Sequence, residues 1–308
     1  LHLSLRRQRQ MCIRDRSALA FALVIAAAIT HAAWNIVAHG VSRAGMPFLW
    51  WGAVGGTAVW IGVIPFTGGL GTDDLLAFLL GVGVSGVLHV AYMAVLQRGY
   101  REGNLSTVYA TARGTGPFLS VIVAILLFGE RPSVLALVGV AAIIVGVVAI
   151  GLVDRGRAER QDRSLDLGLV FGLLTGVAIA IYTIWDAHAV RTWNLSPVAF
   201  MVGTMLLEIP FYSFGVRGRW AAVRTLGRTQ WRRIVAFSIL SPLSYILVLT
   251  AIQIAPVALV APLREVSVVL VSLFGVFALK ESRPGWRLAA SAVVAGGIVL
   301  LALSLIHI

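Results

Sequence analysis

The sequence predicts an all-α polytopic membrane protein, with ten transmembrane helices arranged as two inverted five-helix repeats. Three observations predict this fold class. Of the 308 residues, 59% are hydrophobic and only 12% are charged, against about 25% charged residues in a typical soluble domain. Apolar runs of about 20 residues, the length of a membrane-spanning helix, recur along the whole chain. The chain also resembles itself at an offset of 151 residues.

The apolar runs predict the ten spans in order. The connections between them are short, so no soluble domain fits between spans. The predicted spans cover residues 17–38, 47–67, 74–96, 105–128, 133–153, 167–189, 196–216, 234–254, 257–279 and 285–304.

The offset of 151 aligns four pairs of identical residues, and two of the pairs are Arg and Glu, which are rare inside membrane spans. The aligned pairs are Trp34 with Trp185, Arg113 with Arg264, Glu130 with Glu281, and Gly146 with Gly297. A hydrophilic linker, 154–166, separates the first repeat, 17–153, from the second, 167–304. Because each repeat has five spans, the second must be inverted relative to the first. Inverted repeats are typical of alternating-access transporters, whose substrate site lies near the bilayer midplane.

The terminal segments 1–16 and 305–308 are expected to lie outside the fold. The stretches "MCIRDR" and "LSLIHI" resemble translated sequencing-adapter sequence. A genuine basic leader is the alternative for residues 1–16.

The net charge of +12 comes from arginines that cluster in the loops. In a membrane protein this pattern predicts contact with anionic lipid headgroups and no nucleic-acid partner. Cys12 is the only cysteine, and there is no ATP-binding loop of the G-x-x-x-x-G-K-[ST] type. These features predict no cysteine-based metal site and no direct ATP drive within the chain. We expect no metal, no cofactor and no enzymatic activity, and we place the protein in the plasma (inner) membrane as a multi-pass protein.

Two related segments carry a family resemblance. They are "GNLSTVYATARGTGPFLSVIVAILLFGERPS" at 103–133 and "APVALVAPLREVSVVLVSLFGVFALKESRP" at 255–284. Each has a membrane arginine and a terminal glutamate. From 17 to 304 the chain resembles the ten-span EamA-like transporters of the drug/metabolite transporter superfamily. The resemblance implies a secondary transporter, and more specifically an exporter, of amino acids, related metabolites or drug-like solutes.

Prolines and glycines predict interrupted helices in both segments. "RGTGP" at 113–117 would interrupt span four, and Pro256 with Pro262 would interrupt span nine. Many relatives have proline within the stretch that reads "YATARG" here, so span four is expected to be less sharply interrupted than span nine.

Two equivalent helix faces predict the walls of a central substrate cavity. In span one the face consists of His31, Trp34 and Asn35, whose spacing places them on one side of the helix. The offset of 151 leads to the matching face of span six, which consists of Tyr182, Trp185 and Asp186. Hydrogen bonding between helices is the alternative role for these side chains.

Charged residues inside spans are the other candidates. Arg113 and Arg264 suit an anionic substrate group, because guanidinium binds carboxylate or phosphate bidentately. The alternative is internal neutralisation by Glu265, Glu208 and Asp186, and for Arg264 a structural ion pair is favoured. Glu265 and Glu208 are predicted to balance charge or to couple transport to protons, which makes the proton a candidate partner. A salt bridge to Arg113 or Arg264 is the alternative for Glu208.

The remaining candidates carry weaker signals. Tyr92, Tyr109 and Tyr245 are predicted substrate contacts, and His89 and Gln253 are weaker candidates for the same role. Glu130 and Glu281 end spans four and nine, so inversion places them on opposite membrane faces as gate or helix-end elements.

Two other function classes compete with transport. A non-transporting membrane sensor or scaffold could keep the same repeat. An intramembrane serine protease could use Ser85, in "GVSG", with His31 or His188 as the base, but it would need these groups within hydrogen-bond reach and an oxyanion hole.

Loop charge and family resemblance predict opposite orientations. Loops after odd-numbered spans, counted together with Arg287 at the start of span ten, hold 16 Lys and Arg residues, and loops after even-numbered spans hold 2, which places the odd loops in the cytoplasm. The resemblance implies cytoplasmic termini, so the sequence leaves the orientation open.

Overall fold

The computed structural model describes the backbone of residues 2–41, 44–102, 105–153, 167–277 and 284–306, and the side chains of 18–41, 44–102, 107–150, 167–277 and 285–304. Every regular element in these ranges is a helix, which confirms the predicted fold class. The α-helices are α1 (His2–Ala38), α2 (Met46–Trp60), α3 (Leu75–Glu102), α4 (Leu105–Phe128), α5 (Val134–Val153), α6 (Leu167–Thr192), α7 (Pro197–Gly215), α8 (Trp220–Thr229), α9 (Trp231–Ile254), α10 (Val257–Leu263), α11 (Val266–Phe277) and α12 (Pro284–Ile306).

Within the described ranges, nine helical segments are long and apolar enough to cross a membrane. Two of them combine elements: α2 continues into a 3₁₀ turn, Ile61–Thr67, and α10 and α11 together form one span. The remaining predicted span corresponds to α5, whose apolar stretch Val134–Ile150 is shorter. The helices therefore occupy all ten predicted positions, with nine of them meeting the length of a full span.

Helix pairing follows the internal repeat. Where α5 crosses α12, the Cα of Gly146 lies against the backbone of Ala290, and the Cα of Gly297 lies against the backbone of Gly139. A shift of 151 residues converts one contact into the other. The same shift relates the packing of α1 on α9 to that of α6 on α3. The two halves are thus joined by contacts that are equivalent under exchange of the repeats.

The α5–α12 crossing gives a test of the packing. A Cβ on Gly297 would come within 2.6 Å of the Gly139 carbonyl oxygen, and backbone cannot move aside as a flexible side chain can. The adjacent Gly296 has nothing within 4 Å. We expect Gly297→Ala to lower the free energy of unfolding by about 1–3 kcal/mol, the usual cost of overpacking, and Gly296→Ala to lower it little. Unfolding curves in detergent micelles would compare the two, and equal stability of both variants would contradict the crossing.

Span nine is interrupted and span four is not. The helix breaks between α10 and α11, where the amide of Glu265 donates to the carbonyl of Pro262, three residues back, at 3.0 Å. Pro262 removes one helical donor just before this tighter turn. In contrast, α4 runs through Pro117 without a break, which corrects the interruption predicted at 113–117. A single proline frees only one carbonyl, and Gly114 and Gly116 let α5 and α6 pack closely against the helix.

The short helix α8 was not predicted. It is amphipathic: Val223 is buried, and its carbonyl oxygen accepts a hydrogen bond from the indole nitrogen of Trp51 at 2.9 Å. Arg224 and Arg228 are exposed on its other side. A helix with this division suits the membrane interface, where arginines reach anionic headgroups.

The helix directions define two ends of the bundle. We call face A the end at which α4, α6 and α9 end, and face B the end at which α1, α3 and α7 end. The break between α10 and α11 lies between these faces, so Arg264 and Glu265 occupy the interior of the bundle, where irregular backbone is tolerated because protein surrounds it.

Candidate functional site

An ion pair joins the two halves in the interior. Nη1 of Arg113, on α4, donates to both carboxylate oxygens of Glu265 at 3.2 and 3.1 Å. Nη2 of the same guanidinium lies 2.7 Å from Nε2 of His31 on α1. Since guanidinium only donates, His31 must accept through Nε2 and carry its ring proton on Nδ1. Glu265 is therefore bonded to the arginine of the opposite repeat.

Arg264 is a buried cation whose guanidinium is incompletely hydrogen-bonded. It is 6% exposed, and its Nε has no hydrogen-bond partner. Its contact with Glu265 is an ion pair at 3.8 Å, beyond hydrogen-bond length. One carboxylate thus faces two guanidinium groups, and the pair of arginines carries a surplus positive charge. An anionic ligand group would balance this charge.

A cavity of about 110 Å³ extends from Arg113 toward face B. Aromatic groups dominate its wall, and the ring of Tyr109 lies 5.3 Å below the Arg113 guanidinium carbon, in cation–π range. The helices α1, α3, α4 and α6 supply the lining, whereas the predicted substrate contacts Tyr245 of span eight and Arg264 of span nine are not among the lining residues. The lining residues are Trp34, Asn35, Tyr92, Leu96, Tyr100, Tyr109, Ala112, Arg113, Thr175 and Ile179.

A second polar cluster surrounds Asp186 on α6. Its carboxylate is completely buried, and the Tyr245 hydroxyl of α9 donates to Oδ2 at 2.5 Å. Nε2 of His89, on α3, lies 3.9 Å from the same oxygen. The His89 ring stacks on Tyr182 with 4.3 Å between ring centroids. These four groups come from three helices.

Aromatic contacts link the second cluster to the cavity. Tyr92 lines the cavity, and its ring centroid is 5.4 Å from that of Tyr182. Tyr182 in turn contacts His89 and Tyr245. The polar groups of the interior thus form two neighbouring sites joined through Tyr182.

The two predicted cavity faces diverge in the structure. Asn35 lines the cavity, and its Nδ2 donates to the His31 carbonyl at 2.7 Å. Trp34 lines it as well and packs edge-on against His31. The matching Trp185 instead donates its indole N–H to the carbonyl of Gly81 at 3.0 Å, which joins α6 to α3. Only the face of span one borders the cavity.

Glu130, after α4, connects the helix ends at face A. Its Oε1 and Oε2 accept the amides of Val257 and Ala258 at 2.9 and 2.8 Å, at the start of α10. Nη1 of Arg191, at the end of α6, donates to Oε1 at 2.7 Å. The repeat counterpart of Glu130, Glu281, lies outside the described residues.

Two further contacts close the same face. Nε2 of Gln253 lies 3.3 Å from the carbonyl oxygens of both Val190 and Leu195. The Ser196 amide donates to the Leu70 carbonyl at 2.9 Å, which joins the loop before α3 to the loop before α7. Face A is therefore held by contacts among α4, α6, α9, α10 and two loops.

Among the described residues, Glu208 does not form the salt bridge that was its alternative role. Within the described parts of the chain it forms no salt bridge with Arg113 or Arg264, because Glu265 already lies against Arg113. Its electrostatic neighbour is His89. Glu208, on α7, therefore interacts with the Asp186 cluster through His89.

The geometry gives no support for a serine nucleophile. The Ser85 hydroxyl lies 3.2 Å from Nδ1 of His89, its neighbour one turn along α3. That nitrogen is also 2.9 Å from the Ser85 carbonyl, to which it must donate, so it cannot accept the hydroxyl proton. The bases predicted for this role lie elsewhere, since His31 contacts Arg113 and His188 lies 3.2 Å from Thr192 Oγ1.

One group of site residues gave only a weak signal in the sequence. Ser85, His89 and Tyr92 recur at intervals of four and three residues and therefore share one face of α3. The repeat hid this face, because the position equivalent to His89 is Leu240. Thr175 and Tyr100, which line the cavity, gave no polar pattern that distinguishes them from ordinary span residues.

Comparison with known proteins gives one family and one fold. The model of the EamA-like transporter family matches residues 166–303. Among 29 matching chains of solved structures, one titled "Crystal structure of protein" has a TM-score of 0.67 and 18% sequence identity. The match covers 94% of this chain and 98% of that chain. At this identity the likeness concerns the fold alone. No curated protein sequence matched the chain.

Proposed function

The chain belongs to the EamA-like transporter family through its second half, residues 166–303, and on this premise we propose that it is a secondary transporter of the plasma membrane that exports a small organic solute carrying an anionic group. Amino acids, related metabolites and drug-like acids are the solute classes in question. Movement would occur by alternating access of the two inverted halves.

The observation that carries this proposal is the surplus guanidinium charge beside the cavity. Burying a charge without a partner is costly, and the cost falls when an oppositely charged group is bound. Arg264 lacks a hydrogen-bonded partner among the described residues, and Arg113 borders the cavity. A carboxylate or phosphate placed between them would accept hydrogen bonds from donors that are otherwise unused.

The difference between the two faces supports alternating access. The cavity extends toward face B, whereas face A is closed by Glu130, Gln253 and their partners. A carrier must also reach the converse state, with face A open. Exchange of roles between inverted repeats would produce that state without a new fold.

Flux measurements test the proposal. Purified protein in liposomes would be offered labelled amino acids, organic acids, nucleosides and cationic drugs, and uptake would be measured as counterflow. We expect flux of an anionic or carboxylate-bearing solute and none of the cationic drugs. Arg113→Ala should abolish that flux while the protein remains folded, because the variant removes the charged end of the cavity.

Two outcomes would contradict the proposal. Selective flux of the cationic drugs would exclude an anion-binding cavity. Absence of flux across the whole panel, with folded protein, would favour the non-transporting sensor or scaffold. Unfolding curves of the same preparations would establish that they are folded.

A further inference from the structure

Asp186 is a buried carboxylate without a close countercharge. Its side chain is 0% exposed, and among the described residues its Oδ1 has no hydrogen-bond partner. Oδ2 accepts from the neutral hydroxyl of Tyr245, and the neutral hydroxyl of Ser85 also donates toward the carboxylate. A fully ionised carboxylate in this position would bear a large desolvation cost, which a bound cation could relieve. The smallest cation that fits a closed, hydrogen-bonded site is the proton.

The orientation of the His89 ring favours the same ligand. Nδ1 lies 2.9 Å from the Ser85 carbonyl and must donate to it. In the neutral ring, Nε2 then carries a lone pair, and Nε2 lies 3.9 Å from Oδ2 of Asp186. A lone pair and a carboxylate repel each other. One proton, held by either group, turns the repulsion into an attraction.

Among the described residues, Asp186 makes no ion pair with an arginine or a lysine, and no second carboxylate contacts it. Arg264 acts on Asp186 electrostatically but makes no hydrogen bond with it. Glu208, on α7, interacts electrostatically with His89, and Arg113 on α4 is bonded to Glu265. The titratable and charged groups around the site are His89 from α3, Tyr182 from α6, Tyr245 from α9, Glu208 from α7, Arg113 from α4, and Arg264 with Glu265 from the break after α10.

Asp186, His89 and Tyr245 have no ionisable counterparts at the repeat-equivalent positions. The position equivalent to Asp186 in the first half is Asn35, an amide of nearly the same shape that cannot ionise. The equivalents of His89 and Tyr245 are Leu240 and Ala94. The fold therefore accepts an uncharged residue at this position, and the acidic cluster is an addition to the second half.

We propose that Asp186, held between Tyr245 and His89, binds the proton that this protein exchanges for its solute. The site accepts a proton from one aqueous side, releases it to the other, and communicates with the solute cavity through the contact between Tyr182 and Tyr92. The coupling role rests on the proposed transport function, whereas proton binding at Asp186 does not.

Infrared difference spectroscopy tests proton binding with no solute present. Spectra of the purified protein at acidic and alkaline pH would be subtracted, and the carbonyl stretch of a protonated buried carboxyl would be identified by its shift in D₂O. We expect this band in the wild type and in Asp73→Asn, which alters an exposed loop carboxylate. Asp186→Asn should abolish it, and Tyr245→Phe should shift it. Retention in Asp186→Asn, or loss in Glu208→Gln alone, would overturn the assignment.

Gradient-driven transport tests the coupling. Liposomes with an acidic interior would be offered a mixture of labelled amino acids and organic acids, with counterflow measured in parallel at equal pH. In the wild type we expect solute to accumulate in the acidic interior. Asp186→Asn should lose accumulation more than tenfold and keep counterflow. Equal accumulation in both proteins would overturn the coupling role.

The two proposals fail in different ways. Absence of any wild-type flux would contradict the transport function while leaving the infrared band of Asp186 in place. Absence of the band, with normal counterflow, would contradict the proton site and leave transport intact.

Discussion

Glu265→Gln is expected to destabilise the protein by about 3–5 kcal/mol, the cost of removing one partner from a buried ion pair. Glu265 is 1% exposed and is the carboxylate that contacts both interior arginines. Its neutralisation leaves Arg113 and Arg264 as two buried cations with mutual repulsion. No other described carboxylate lies within ion-pair distance of either arginine, so the structure offers no substitute.

Arg113→Gln is the informative comparison for this prediction. It removes a charge from the same ion pair, but Glu265 then retains Arg264 as a partner at 3.8 Å, and the charges balance. We therefore expect clearly less destabilisation than in Glu265→Gln. Denaturant unfolding in mixed micelles would give both values. Similar stability of the two variants, or a milder effect in Glu265→Gln, would show that charge balance does not govern this part of the interior.

The sequence predicted the membrane architecture well because hydrophobicity depends on local composition. Each predicted span contains helix, and α4 begins and ends at the predicted residues 105 and 128. The helix α8 was missed because its ten residues carry arginines on one side and fall short of a span. The continuity of α4 was missed because the effect of Pro117 depends on its neighbours, and α5 and α6 pack tightly on both sides of it.

The site was predicted by residue type but not by partner. A structural ion pair was favoured for Arg264, and the structure contains one with Glu265 at 3.8 Å, but Glu265 also reaches Arg113 in the opposite half, to which it is hydrogen-bonded. Pairing between distant helices depends on three-dimensional packing that residue spacing does not encode. For the same reason, the proximity of His89 on α3 to Asp186 on α6 could be recognised only once the helices were packed together.

Arg264→Gln is expected to lower solute flux by about 10- to 100-fold, since hydrogen bonds to charged groups contribute about 1.5–3 kcal/mol. The same variant should unfold at an equal or higher denaturant concentration than the wild type, because it removes a buried cation whose Nε has no partner. Arg98→Gln is the matched control, since this arginine is exposed and pairs with Glu102 within its own helix; it should change neither property. Lost flux with retained stability would mean that Arg264 is kept for binding at the expense of the fold. Wild-type flux in Arg264→Gln would remove the anion site, and a strong loss of stability would show that its charge is structural.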